Sequence, residues 1–205
     1  MTFLLLASAI IIILISVNVT RQKKIKAQED KEFWTREHLA NSVRRKSLDG
    51  LNYISIPLED FPTHLLQQDE VVLECIETVE SLTSQKIVNL TGYSNTDLKL
   101  EYGTANISPL SEYDQNYTVL VRTLQRWADV LIETGYMEEA TVLMEFAVST
   151  GTDVSRTYYE LAKYWASQGE REQIRRLKGQ AESIRSSNGR LIRRHLEEEY
   201  PDSEA

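Results

Sequence analysis

The chain has 205 residues, a formal net charge of −8 and a single cysteine, Cys75. One thiol cannot form an intrachain disulfide, which excludes a disulfide-stapled scaffold and is typical of a reducing compartment. Residues 20–46 carry nine Lys/Arg against four Asp/Glu, whereas residues 47–205 carry fourteen against twenty-seven. Because so acidic a body repels phosphate backbones, we expect no nucleic-acid partner.

Residues 3–19 form an uncharged, strongly apolar segment. As a helix they would extend roughly 26 Å, close to the thickness of a hydrocarbon core. A cleaved signal peptide needs basic residues before its apolar segment, whereas here they follow it. We therefore predict an uncleaved transmembrane anchor over residues 1–20. The basic flank predicts a single-pass cell-membrane protein with its N-terminus outside and its body in the cytoplasm. That flank contains Arg21, Lys23, Lys24 and Lys26.

A basic helical stalk is predicted within residues 21–50. Residues 21–45 lack Gly and Pro and mix Lys, Glu, Gln and Ala, which favours a helix. Beside an anionic leaflet each Lys or Arg would add about 1 kcal/mol of attraction. Trp34 lies beyond the membrane interface in such a stalk, so we expect it to be buried against the body or a partner.

The segment after the stalk, residues 51–67, is predicted to be an extended strap lying on the helical body. It is rich in apolar side chains that alternate imperfectly. Pro57 and Pro62 limit any strand here to a short piece, so we expect no sheet of consequence.

Residues 68–120 are predicted to form a helical N-terminal cap with an irregular loop. Asp69 is a suitable N-cap for the first helix. The helical period gives that helix a buried stripe of Val72, Ile76, Val79 and Leu82. In the loop we expect Asn95 or Thr96 to cap a short helix. Ser108 is expected to cap the long helix that continues into the repeats.

Three glycosylation sequons fall within this cap, at Asn89, Asn106 and Asn116. Such sequences accept glycans only in a glycosylating lumen. In the predicted cytoplasmic topology they are therefore chance matches.

A repeat of 34 residues occupies residues 121–188, and laying one copy over the other places Gly135 on Gly169. Each copy has the pattern of a helix, a turn at the glycine and a second helix. A period of that length predicts stacked helical hairpins. Further matched pairs are Arg122 and Arg156, Thr123 and Thr157, Ala128 and Ala162, Glu138 and Glu172, and Ala147 and Ala181.

The packing positions of this repeat resemble those of the tetratricopeptide repeat. In the first copy they are Trp127, Ala128, Leu131, Gly135, Tyr136, Ala140, Met144 and Ala147. In the second they are Tyr158, Leu161, Ala162, Trp165, Gly169 and Ala181. The resemblance implies an all-α fold of stacked hairpins. Residues 89–118 also resemble small membrane-anchored proteins of Gram-positive bacteria, which implies no function.

The second copy departs from the tetratricopeptide pattern at Ile174 and Lys178, which favours a partly solvated outer helix. Two repeats alone bury little surface, so further helices are expected to cover their ends. Residues 189–205 are predicted to be a capping helix and tail. Its inward side chains would be Leu191, Ile192 and Leu196.

In tetratricopeptide-like folds the first helix of each pair lines a concave groove, and the resemblance implies a protein-binding role for the side chains there. They are Arg122, Gln125, Asp129, Arg156, Tyr159 and Lys163. This set does not match the one with which family members clamp a C-terminal carboxylate. The recurrence of Arg122 and Arg156 favours an acidic or phosphorylated peptide. The alternatives are a solvated polar face and pairing of each arginine with a neighbouring carboxylate.

The sequence offers little for catalysis. Its histidines, His38, His64 and His195, are dispersed, and neither a metal-binding spacing nor a glycine-rich phosphate loop occurs. Cys75 lies beside an apolar stripe, as a core residue would. We therefore expect no enzyme activity, metal or cofactor, and predict a membrane-tethered adaptor or scaffold that binds a cytoplasmic protein. The alternatives are an accessory subunit of a membrane complex, held through its span, and an enzyme whose site the sequence does not reveal.

Overall fold

The computed structural model describes residues 2–201, with their side chains from residue 17 onward. This part of the chain is all-α, as predicted. Its helices are α1 (Thr2–Ser42), α2 (Glu70–Thr83), α3 (Asn95–Tyr102), α4 (Ile107–Glu133), α5 (Met137–Ser149), α6 (Ser155–Gln168), α7 (Arg171–Glu182) and α8 (Ser187–Glu199). Among the described residues the only strand-like pairing is an isolated antiparallel bridge between Tyr53 and Val88.

The chain divides into two compact units. The first contains the residues up to Ser47 together with Ser94–Ile107. The second contains Leu48–Tyr93 and the residues from Ser108 onward. The first unit therefore holds α1 and α3, and the second holds α2 and the helices from α4 to α8.

Helix α1 covers the predicted stalk as far as Ser42. Because neither Gly nor Pro occurs in residues 2–42, nothing interrupts its hydrogen-bond ladder. Trp34 is 67% exposed within the described residues, and its expected burial against a partner stays a prediction. Within the same residues, no helix combines the length and the apolar character needed to cross a membrane. The predicted span over residues 3–19 falls mainly on side chains that lie outside the described residues.

In the first unit, α3 is joined to the end of α1 by charged and polar contacts. Arg36 donates to Asp97 at 2.5 Å. Lys99 forms an ion pair with Glu37, whose carboxylate also accepts from the Thr96 hydroxyl at 2.7 Å. The Lys99 and Thr96 hydrogen bonds lower the pKa of Glu37. The carboxylates of this unit therefore favour the folded arrangement when they are ionised.

Helix α3 begins one or two residues earlier than predicted, because its N-cap is Ser94 and not Asn95 or Thr96. The Ser94 hydroxyl accepts the Asp97 N–H at 3.2 Å, and the Asp97 carboxylate accepts the Ser94 N–H at 2.9 Å. This reciprocal capping box satisfies two amides that the helix itself leaves unpaired. Hydrogen bonds from Ser94, reinforced by Arg36, lower the pKa of Asp97 to about 2.

In the second unit, α2 has the predicted cap and buried stripe, whereas the strap, predicted to be extended, contains a 3-10 helix at Leu58–Asp60. Asp69 caps α2 as predicted by accepting the Val71 N–H at 2.9 Å and the Val72 N–H at 3.0 Å. The predicted stripe of α2 is buried. Phe61 of the strap is 3% exposed and packs edge-on against Trp127 and Phe146, with ring centroids 6.1 and 5.3 Å apart. The strap is therefore part of the core.

Helix α4 starts at Ile107, so Ser108 lies inside the helix and is not its N-cap. The chain enters α4 directly from a 3-10 turn at Thr104–Asn106, and the Ile107 N–H bonds back to the Thr104 carbonyl. Pro109 lies in the first turn of α4, where the missing N–H removes no helical hydrogen bond.

The two glycine turns of the repeat have the same backbone geometry. Gly135 has φ +91° and Gly169 has φ +75°, a region that residues with a Cβ rarely adopt. In each turn the amide after the glycine bonds to the carbonyl five residues before it, as in a Schellman motif. These bonds join Tyr136 N–H to Leu131 O at 2.8 Å and Glu170 N–H to Trp165 O at 2.9 Å.

Helix α8 covers the end of the array with Gly189, Ile192 and Leu196, which are buried. Leu191, predicted to point inward, is instead 47% exposed. Positions 189, 192 and 196 share one helical face at 100° per residue, and position 191 lies away from it. The close approach of the Ile184 carbonyl leaves space only for the hydrogen of Gly189.

Candidate protein-interaction surface

The predicted groove residues lie on α4 and α6, and side-chain hydrogen bonds link the two helices. The Thr157 hydroxyl donates to Gln125 Oε1 at 2.5 Å, and Gln125 Nε2 donates to Asp129 Oδ1 at 2.7 Å. Arg156 Nε lies 3.0 Å from the same Asp129 oxygen. Gln125 is only 8% exposed, and partners at both ends of its amide make that burial tolerable. Three predicted groove residues are thus joined in one network.

The three cations of this face differ in whether a partner could bind them. Arg156 is paired with Asp129, which matches the alternative in which an arginine binds a neighbouring carboxylate. Their side chains are 54% and 24% exposed, so we assign this pair only about 0–1 kcal/mol of stability. Arg122 and Lys163 are exposed, and neither forms an ion pair with another described residue. They are the two cations of the predicted set that a partner can reach without competition.

Tyr159 links α6 to the capping helix. Its ring centroid lies 3.8 Å from that of His195 on α8, with the ring planes tilted by 44°. Tyr159 is half-buried, so part of its surface is used for packing between helices. The sequence contained a signal for Thr157, which matches Thr123 one repeat earlier, but none for His195, whose place depends on how α8 docks.

The basic residues predicted to flank the membrane lie on α1. Their four side chains are exposed. At 100° per residue they are distributed around the helix and do not form a single stripe. These residues are Arg21, Lys23, Lys24 and Lys26.

Little in the described residues resembles a catalytic centre. Cys75 is buried, and that burial raises the pKa of its thiol, which disfavours the nucleophilic thiolate. In residues 17–201 no three His, Cys, Asp or Glu side chains come together in a group that could hold a metal ion.

All three sequon asparagines donate side-chain hydrogen bonds in the structure, and Asn116 Nδ2 does so to the Lys86 carbonyl at 3.1 Å. Asn89 Nδ2 donates to the Tyr117 hydroxyl at 3.0 Å and to the Thr150 carbonyl at 2.9 Å. Asn106 is fully buried, and its Nδ2 donates to the Lys46 carbonyl at 2.7 Å. A glycan on the Asn89 or the Asn106 nitrogen would break these bonds, so these amides serve the fold.

A cavity of about 350 Å³ lies between the strap, α5, α6 and α7, in a region that the sequence did not single out. We refer to it as the strap cavity. Its apolar wall contains Phe61, Phe146, Leu161, Trp165 and Leu177. The exposed charged residues at its rim are Asp60, Glu145 and Arg176. Helical periodicity predicts that most of the wall residues are buried. The cavity itself depends on where the strap lies against α5, α6 and α7, which periodicity does not predict.

No protein-family model, curated protein or solved structure matches the chain. The surfaces of the chain itself are therefore the guide to its function. Two of these surfaces could bind a partner: the face of α4 and α6, and the strap cavity.

Proposed function

We propose that this protein is a membrane-tethered, non-catalytic adaptor that binds a cytoplasmic protein or peptide. In this proposal α4–α7 form two tetratricopeptide-like hairpins. The partner contacts the face of α4 and α6 that carries Arg122 and Lys163. The apolar residues 3–19 span the cell membrane, with the N-terminus outside and the body in the cytoplasm.

The observation that carries the proposal is the network of Thr157, Gln125, Asp129 and Arg156. Because the buried Gln125 amide is bonded both to Thr157 on α6 and to Asp129 on α4, the network holds α4 against α6 before any partner binds. A preorganised face loses less conformational entropy on binding. The exposed cation Arg122 on that face suits an acidic or phosphorylated segment, with roughly 1.5–3 kcal/mol from each charge-assisted hydrogen bond.

The tether is supported by the uncharged residues 3–19 and by the basic residues that follow them. The cytoplasmic placement gains support from Asn89 and Asn106. Both amides are used as internal donors, so their sequons are compatible with a body that is never exposed to glycosylation. An anionic leaflet would also attract the basic end of α1.

The proposal is tested by crosslinking the full-length protein in intact cells and identifying its partners by mass spectrometry. The decisive variant is Arg122→Glu with Lys163→Glu, which reverses both accessible cations. We expect the yield of the partner to fall by about tenfold or more, as loss of one charge-assisted bond implies. Arg156 is left unchanged because its removal would disturb Asp129.

The matched control is Arg171→Glu on α7 with Arg190→Glu on α8, which makes the same change of net charge on exposed side chains outside the α4 and α6 face. The control should keep its partners. Unchanged partners in the Arg122 and Lys163 variant, at wild-type yield and helix content, would show that this face is not the binding site.

A further inference from the structure

We propose that the strap cavity is a second interaction site, which accepts an apolar side chain of a peptide that carries Lys or Arg beside it. This inference goes beyond the proposed function, since the cavity is built by different side chains from the face with Arg122 and Lys163. It rests on the aromatic wall of the cavity, its size and the charges at its rim.

The wall is both rigid and accessible. Phe61 is buried and held edge-on between Phe146, at 5.3 Å, and Trp127, at 6.1 Å, so the back of the cavity belongs to the core. Phe146 and Trp165 are only partly buried, and Val142 at the edge is 38% exposed. A ligand can therefore reach aromatic surface that is already fixed in position.

The size of the cavity limits the bound group to about one apolar side chain. Its volume of about 350 Å³ lies at the lower end of the range typical of ligand pockets. That space is enough for one large side chain, such as Phe, Leu or Trp, together with some of its neighbouring backbone. A whole folded partner would have to insert one such residue from a loop or an extended segment.

The rim charges indicate what accompanies the apolar group. Asp60 on the strap and Glu145 on α5 approach the cavity from two different elements, and neither forms an ion pair with another described residue. Among the described residues, Arg176 on α7 is the one basic residue lining it. The surrounding residues 47–205 carry fourteen Lys/Arg against twenty-seven Asp/Glu, so the wider field also attracts cations. Charge complementarity therefore favours a basic peptide.

The test uses full-length protein in neutral detergent micelles and three photoreactive pentapeptides. Each peptide has benzoylphenylalanine at its centre and differs only in its flanking residues, which are Lys, Glu or Ser. We expect the Lys peptide to label residues of the strap, α5 and α6 that line the cavity. Its half-saturating concentration should be roughly fivefold below that of the Glu peptide, as two exposed ion pairs allow.

A charge-reversed cavity provides the matched test. Asp60→Lys with Glu145→Lys should reverse the order of the Lys and Glu peptides. Glu133→Lys with Glu197→Lys, an equal change of net charge at exposed positions outside the cavity lining, should leave that order intact. Should the Lys double variant fold poorly, Asp60→Asn with Glu145→Gln should abolish the preference for the Lys peptide.

Three results would overturn the inference. They are labelling mainly outside the cavity, equal labelling by the Lys, Glu and Ser peptides, and a Lys preference that survives neutralisation of Asp60 and Glu145. None of them bears on Arg122 and Lys163, so failure here is distinguishable from failure of the proposed function.

Discussion

At the scale of single residues, Trp127 and Trp34 are the same side chain in opposite environments. Trp127 is fully buried against Phe61, whereas Trp34 on α1 is 67% exposed. Trp127→Ala should lower the free energy of unfolding by about 3–5 kcal/mol, because it removes a large buried aromatic side chain and leaves a cavity. Trp34→Ala should change it by about 0.5 kcal/mol or less. Urea denaturation of the full-length protein, followed by circular dichroism, measures both.

Equal stability losses in the two variants would contradict this assignment of the core. Trp165→Ala should be intermediate, since Trp165 is half-buried at the strap cavity. That order of the three tryptophans is expected only if the strap packs as described.

A buried tyrosine predicts how stability depends on alkaline pH. Burial raises the pKa of Tyr117 to about 12, although its hydrogen bonding to Thr150 opposes the shift. The folded pKa lies above the unfolded value of about 10, so Tyr117 contributes stability that is fully present below pH 10. That contribution is lost as the pH rises through 12. Burial also raises the pKa of Tyr158.

Denaturation of wild type and Tyr117→Phe between pH 8 and pH 11.5 tests this linkage. The variant should be less stable at pH 8, because Asn89 loses the hydroxyl that accepts its hydrogen bond. Its stability should then fall less steeply with pH. Parallel curves for the two proteins would mean that the Tyr117 hydroxyl does not titrate as a buried group.

The sequence predicts whether a residue is buried only where the helical period alone decides its burial. The period alone placed Val72 and Ile76 in the core, and both are buried. It gave no reason to bury Gln125, because a polar side chain becomes tolerable there only when Thr157 on another helix supplies a partner. Contacts between helices of that kind are not encoded in the spacing of one helix.

At the scale of elements, replacing a glycine by alanine should have opposite effects in the two turns and within a helix. Gly135 and Gly169 have positive φ, whereas Gly179 lies within α7 with ordinary helical geometry. A Cβ at any of the three would meet no atom within 4 Å, so only backbone preference differs. Gly135→Ala and Gly169→Ala should each cost about 1–2 kcal/mol of stability. Gly179→Ala should add about 0.5–1 kcal/mol.

Thermal denaturation of the three alanine variants checks these signs. A stabilised Gly135→Ala protein would be incompatible with a left-handed residue in the turn. Because the turns at Gly135 and Gly169 share their hydrogen bonds, their two variants should behave alike. This similarity follows from the 34-residue repeat, whose glycine spacing predicts both turns.

The starts of two helices show where prediction of elements from the sequence fails. Ser94 caps α3, and Ser108 lies inside α4. Several adjacent Ser, Asn and Thr side chains can cap a helix, and the choice between them is made by tertiary contacts. Arg36 of α1 holds Asp97 of the capping box, although sixty-one positions separate the two residues.

At the scale of the whole molecule, charge is separated along the chain. Residues 20–46 carry an excess of five positive charges, and residues 47–205 an excess of thirteen negative charges. The helical periodicity of the sequence predicted an all-α fold, which the described residues have. It did not predict that Ser94–Ile107 groups with α1, because the contacts that define that unit join residues far apart in the chain. The strap cavity was missed for the same reason.

The central claim is that partners are recognised by the helical body and that residues 3–19 serve only as a tether. The most direct measurement replaces residues 3–19 of the full-length protein with an unrelated uncharged apolar span of equal length. Crosslinking in intact cells then compares this protein with the Arg122→Glu, Lys163→Glu variant. The account predicts that the span replacement keeps the wild-type partners and the charge reversal loses them. The opposite result would contradict this proposal: partners lost when residues 3–19 are replaced, but kept after charge reversal. It would identify a subunit held in a membrane complex by its transmembrane segment.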